Sequence, residues 1–328
     1  MGKSVADVIL DRFLKDVEET NTMPWQRPYS QYNAFNYFTL QPYSGINRLM
    51  LPFGEYMTAN QIDAYNKSKN EDYRFQKGIV WYPVVFYKTD VKEVTYKEVS
   101  DIFNVDIDSL RTDDYIGHNG SWSYYKTTTG YQKRKGILRY FNVADRKHFK
   151  NSKGEILPSR LETGEIEITL SRPREVVEDY LQREGIEVVD TVDVPCYNII
   201  LDKIEMNNHF VSEDSWFSIM FHEMAHSTGS VKRLNRIGCM VLRDVTEAER
   251  KEIYDKEECI AEMAACLCCA EYGIYSFETS NTREYQNNIA YVQSWKKRVK
   301  DWGKEFIFLA SQADKAFNRI MNFTEEKE

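Results

Sequence analysis

Apolar residues Val5, Val8, Ile9, Phe13 and Val17 recur at helical spacing and predict an opening helix over 4–20, ended by Asn21-Thr22-Met23-Pro24. From Trp25 to Phe53 the pattern changes to aromatic residues (Tyr29, Tyr32, Phe35, Tyr37, Phe38, Tyr43) interrupted by Pro28, Pro42, Gly45 and Pro52. That punctuation argues against one long regular element. The apolar run at 79–87 predicts a strand that Pro83 confines to an edge or a bulge, and 137–143 predicts another. Between them, residues 93–125 are polar and locally acidic around Asp106, Asp108, Asp113 and Asp114, as expected of a surface excursion.

Charge, Gly, Pro and Ser crowd residues 150–172 and mark a boundary. Beyond it a helix is expected from Pro173 to Arg183, a strand pair or strand and turn over 196–206, and a helix over 215–228. Three further helices are expected at 246–273, 281–302 and 304–322. Ile289, Val292, Trp295, Val299 and Trp302 form a helical stripe suited to core packing. The chain reads as α+β in two domains, 1–155 with mixed elements and 173–328 mostly helical, joined by a linker at 156–172.

Composition supports an ordered globular protein: 328 residues, 42% hydrophobic and 14% aromatic. No apolar run approaches a membrane span, and Asp11, Arg12, Lys15 and Asp16 break up the start of the chain, so a secretory h-region is absent and the expected setting is cytoplasmic. The six cysteines form no pair of CxxC motifs of the kind that holds zinc, which fits reduced, buried thiols. Net charge is −8, but unevenly spread: residues 1–150 carry +3 and the remainder −11. The first part is therefore the better partner for a polyanion.

The chemistry concentrates in His222-Glu223-Met224-Ala225-His226. Residues four apart share a helix face, so both imidazoles can reach one ion, with Glu223 beside them to accept a proton from a water. This is the HExxH arrangement of a zinc hydrolase, and imidazole with carboxylate favours Zn2+. A catalytic site needs a third ligand, and Glu258 on the following acidic helix is the preferred supplier. Glu262, one turn on, can hold a ligating histidine, and Tyr254, one turn back, can donate to a developing oxyanion. Glu257 points roughly 100° away from Glu258, and a solvated helix face is an equal reading for Glu257 and for Glu262. Gly229 suits the helix exit as a C-cap. The plain alternative is two polar histidines on an ordinary amphipathic helix.

In the first half, Trp25, Tyr29, Tyr32, Tyr37 and Phe38 supply rings, and Arg27 and Arg48 supply charge. Residues 126–150 form the most basic stretch, with Lys126, Lys133, Arg134, Lys135, Arg139, Arg146, Lys147 and Lys150 against one acid, Asp145. Stacking rings beside cations are what a single nucleic-acid strand needs, although an aromatic cluster more often forms a core, and Phe35 and Phe38 are expected to be buried.

Taken in order, these fragments resemble the ArdC-type antirestriction proteins of conjugative elements. The N-terminal matches are Trp25-Gln26-Arg27-Pro28, Asn33-Ala34, Tyr43-Ser44-Gly45-Ile46-Asn47, Lys77-Gly78, Pro83-Val84-Val85-Phe86 and Tyr140-Phe141-Asn142-Val143. The C-terminal matches are Tyr197, Asp202-Lys203-Ile204, His222-Glu223 through Thr228-Gly229, and Arg233-Leu234-Asn235-Arg236. Tyr254, Glu257-Glu258, Ala261-Glu262, Tyr291 and Ser294-Trp295 complete them. The resemblance implies an N-terminal domain that binds single-stranded DNA and a C-terminal zincin-like metallopeptidase domain. It also implies metal ligands His222, His226 and Glu258, with Glu223 catalytic. Arg27, Tyr43, Asn47, Arg48 and Lys77 lie in the matching segments with chemistry suited to DNA. Residues 93–125 look longer and more acidic than the family pattern, and its basic-Gly stretch is reduced at Gly78-Ile79-Val80-Trp81-Tyr82.

The leading expectation is a protein that shields transferred DNA from restriction by coating the strand, by cleaving a protein of the host restriction machinery, or by both. A non-catalytic strand-binding protein with structural or vestigial zinc is the alternative. A self-processing protease, cut within 150–172, is the third reading.

Overall fold

The computed structural model describes residues 3–20, 23, 34–112, 116–119, 122–128, 130–160, 172–191, 194–207, 210, 212–243, 245–274 and 293–323. Contacts divide the chain into two compact units, Met1–Val5 with Pro83–Phe141, and Ala6–Tyr82 with Asn142–Glu328. The fold is α+β.

In the larger unit, helix α1 (Val5–Thr20) buries the stripe Ile9, Leu10, Phe13 and Val17, and Phe13 packs 4.8 Å from Phe306. Strand β1 (Ala34–Asn36) pairs in parallel with β2 (Gly54–Met57), joined through the short helix α2 (Ile46–Met50). Helix α3 (Ala59–Lys69) starts at a capping box in which Thr58 and Gln61 satisfy each other's backbone N–H. A two-residue ribbon links β3 (Arg74–Phe75) to a partner at Phe149–Lys150. The small core beneath these elements contains Tyr37, Met57, Ile62, Tyr73, Ala144, Phe149 and Leu157.

In the smaller unit, β4 (Tyr82–Val94) begins three residues later than expected and runs well past it, with Pro83 at its second position, where a missing N–H is tolerated. The 93–125 stretch is a folded piece and not the polar excursion expected. It comprises α4 (Tyr96–Phe103), α5 (Ile107–Thr112) and the hairpin of β5 (Ile116–Asn119) with β6 (Trp122–Lys126). Val94, Val99, Leu110, Tyr124 and Tyr131 form their core, so sparse apolar residues suffice once they converge on one point. Asp113 and Asp114 lie outside the described residues. Strand β7 (Tyr131–Asp145) is longer than the 137–143 expected; it pairs with β6, and its last residues pair with β2 in the larger unit's sheet.

The expected linker begins as packed chain. Glu55, buried, accepts from the Arg146 guanidinium at 2.6 Å, the Ser159 hydroxyl at 2.5 Å and the Arg160 backbone N–H at 2.7 Å. Past Ser152-Lys153-Gly154, β8 being the strand Phe149–Lys150, the chain is anchored at Leu157 and Ser159, both buried. Residues 161–171 lie outside the described residues.

Helix α6 (Pro173–Glu184) opens with proline at its start and closes on Gly185 at φ +65°, as the sequence pattern demands. A three-stranded sheet follows in the order β10-β11-β9, with β9 (Glu187–Asp190) parallel and β10 (Cys196–Asn198) antiparallel to β11 (Lys203–Met206). Helix α7 (Glu213–Thr228) packs on α8 (Glu247–Glu271), while α9 (293–302) and α10 (Glu305–Ile320) complete the helical layer. Residues 281–292 of the expected penultimate helix, with Ile289 and Val292, lie outside the described residues, but Trp295 and Val299 are buried as expected. Five of the six cysteines are buried and all are free. Among the described residues, no helix is long and apolar enough to cross a membrane.

Candidate metal centre

Helix α7 is started firmly: Ser212 accepts from the Ser215 N–H, and Glu213 and Asp214 sit in the first turn against its positive end. His222 and His226 then fall on one face with ring centroids 4.7 Å apart and planes at 82°. Their Nε2 atoms are 3.1 Å apart. Glu258 arrives from α8 with one oxygen 3.6 Å from His222 Nε2 and the other 3.4 Å from His226 Nε2. Donors bound to one divalent ion at about 2.0–2.2 Å in tetrahedral array stand roughly 3.3–3.6 Å from one another. The three side chains therefore fit a metal ion, and they form a group with metal-binding spacing.

Glu223 is buried beside this trio. Burial pushes its carboxyl above the ordinary range, opposed by the two imidazoles and by the backbone N–H of Tyr197 on the edge strand β10. The carboxylate is thus held by a strand and a helix together. For Glu258, burial acts in the opposite direction to hydrogen bonds from His222 and His226, which prevail and hold it well below the usual carboxylate range.

The support of His226 is the feature the sequence did not disclose. Glu257 is buried and stands 3.3 Å from His226 Nδ1, where a solvated face was an equal expectation. Burial would raise its carboxyl, but the Arg236 guanidinium, at 2.5 and 2.9 Å, with His226 holds it down at about 2. Arg236 is itself buried and also donates to the Ala225 carbonyl and Thr228 Oγ1. Cys239 Sγ caps the same corner against the His226 carbonyl. Gly229 does end α7, but at φ −77°, so left-handed freedom is not its purpose. A Cβ there would collide with Cys239 Sγ and Arg236, and one at Gly238 would collide with Glu257. The two glycines make room for this packing.

Glu262 lies 3.8 Å from His222 Nδ1, on the expected side but beyond hydrogen-bond distance. Tyr254 is exposed and hydrogen-bonded to Glu258, and partial burial with that carboxylate pushes its phenol up to about 12. Of the expected DNA contacts, Lys77 is exposed and Tyr43 half-buried. Asn47 and Arg48 are buried. Arg48 corrects the expectation: its guanidinium lies 2.7 Å from Asp314 and 4.6 Å from the Phe317 ring centroid, a core ion pair holding α2 to α10. Arg27 lies outside the described residues.

An HExxH helix, a following helix that brings Glu258 to it, and a small sheet whose edge touches Glu223 are the arrangement of a zincin-like domain. Residues 175–313 match the family described as zincin-like metallopeptidase, and residues 3–142 match the N-terminal domain of anti-restriction factor ArdC. Together the two matches give the chain the pair of domains that an ArdC-type protein carries. It shares its fold with the crystal structure of antirestriction ArdC protein from the R388 plasmid. For the metal-free form the TM-score is 0.61, with 21% identity over 98% of this chain and 100% of that one. The Mn(II)-bound form gives 0.60, with 20% identity over 98% of each chain. A 118-residue stretch, 36% of this chain, is 30% identical to a DNA primase TraC of Escherichia coli, covering 7% of its length, and 29% identical to a second, covering 10%.

Glu257→Gln keeps the shape but leaves Arg236 and His226 Nδ1 without their anion. The expected result is a 10- to 100-fold weaker divalent-ion affinity, roughly the cost of losing an outer partner of a ligand, measured by competition with a chromogenic chelator.

Proposed function

We propose that this protein binds single-stranded DNA through its first part, about 1–155, and hydrolyses peptide bonds at a zinc site in 173–328, protecting transferred DNA from restriction. The observation that carries the reading is Glu223 buried over a trio with metal-binding spacing; a purely structural ion has no use for a base there. His222, His226 and Glu258 hold the ion, which when bound polarises a carbonyl and acidifies a water. Glu223, aimed by the Tyr197 N–H, takes the proton of the attacking water and returns it to the leaving amine. Tyr254, at the mouth of the site, exchanges its bond to Glu258 for one to the developing oxyanion. Glu262, 3.8 Å from His222 Nδ1, would steady that ring on closing to hydrogen-bond distance.

The DNA half is supported by the match to the ArdC N-terminal domain and by the positive charge of residues 1–150. Lys77, exposed just past β3, is a phosphate contact, and Tyr43, Asn47 and Arg27 are offered with it as DNA contacts because they fall in the segments that resemble the family. The test is conjugative transfer into a restricting recipient, comparing wild type with Glu223→Gln. Protection is expected to need hydrolysis and to fall with the variant; full protection by the variant would assign the effect to strand coating alone.

A further inference from the structure

Beside α3 lies a cavity of about 820 Å³ with an unusual lining for a small core. Three rings border it: Phe38 is 5.1 Å from Tyr37 at 78° and 5.9 Å from Tyr65 at 58°, and Tyr37 is 6.4 Å from Tyr65 at 85°. Rings packed edge to face hold one another still and leave their outer surfaces available. Two cations join them, Lys69 at the end of α3 and Arg160 on the opposite wall. Arg160 is fixed by donating to the carbonyls of Tyr37 and Phe38 at 2.9 and 3.0 Å, while its own N–H is held by Glu55 at 2.7 Å. Glu55 is answered by Arg146 behind the wall. Among the described residues, no carboxylate lines the cavity and Lys69 has no acidic partner.

We infer that this cavity is a nucleotide subsite: one base of a DNA strand lodges among Tyr37, Phe38 and Tyr65, and its phosphate lies against Lys69 and Arg160. The inference rests on the single-strand reading and sharpens it to one place. Its volume falls within the usual range for small-ligand sites. An apolar ligand would leave Lys69 without an anion, and a simple anion would leave three rings unused; a nucleotide engages both. Gln61 is already turned toward its cap at Thr58, so base identity is read weakly and the site accepts any base.

The experiment is fluorescence anisotropy of the full chain with a labelled oligo(dT) of about 20 nucleotides, using Tyr65→Ala and Lys69→Ala, each checked by thermal melting. Tyr65→Ala is expected to weaken binding about 5- to 100-fold, the loss of one stacked base. Lys69→Ala, a surface change without a folding cost, is expected to lower the slope of log affinity against log salt by about 0.7, one phosphate contact. Wild-type affinity and salt slope in folded Lys69→Ala would overturn the subsite while leaving strand binding intact. If wild type does not bind oligo(dT), the single-strand reading fails, and the cavity is tested with thymidine monophosphate by calorimetry. Binding that is lost in Lys69→Ala then sustains a nucleotide site, and no binding overturns it.

Discussion

Glu258→Ala is expected to yield a folded protein that carries no divalent ion after dialysis, where wild type keeps one per chain. Removing an outer partner of a ligand costs about 10- to 100-fold in affinity, so removing a direct carboxylate must cost more, at least about 100-fold. Two imidazoles 3.1 Å apart remain, and among the described residues the two neighbouring carboxylates are already engaged or turned to the far side. Glu257 is committed to Arg236, and Glu262 faces the far nitrogen of His222. Elemental analysis of both proteins gives the answer. A variant that retains stoichiometric metal would show that another residue completes the site. The identity of the ion is read in the same measurement, and the two-histidine, one-carboxylate set is suited to zinc.

The second large effect belongs to Glu223→Gln. Glutamine fills the same volume and still accepts the Tyr197 N–H through its carbonyl, but it cannot take a proton. Metal content is expected to match wild type, while peptide hydrolysis falls by about 10²- to 10⁴-fold, the usual contribution of a positioned base. Assaying turnover and metal together separates the two variants: one loses the ion and the rate, the other only the rate. Unchanged hydrolysis by Glu223→Gln would remove this carboxylate from the chemistry.

What the sequence disclosed was local. The stripe of α1, the helix that starts at Pro173, the strand pair offered for 196–206 and the spacing of His222 and His226 are all set within a few residues, and the structure carries them. Glu257 and Glu258 show where this stops. Neighbours on a helix diverge by roughly 100°, which implied that only one of them could serve the site. An imidazole, however, has two nitrogens on opposite sides, so His226 turns Nε2 to Glu258 and Nδ1 to Glu257. Arg48 failed for the opposite reason. Its fate was decided by Asp314 on the last helix, and no nearby pattern announces a partner so distant in the chain. The folded core of 93–125 was likewise hidden, because short helices with one buried residue each look polar.

Arg233 shows how tightly Glu223 and helix α7 are tied to the neighbouring hairpin. Its guanidinium donates to the Ser227 carbonyl at the end of α7, to the Tyr197 hydroxyl and to Asp202 in the hairpin turn. Tyr197 in turn reaches Glu223 through its main chain. One guanidinium thus fastens the hairpin turn to the end of the helix that carries both imidazoles, and the same hairpin reaches Glu223.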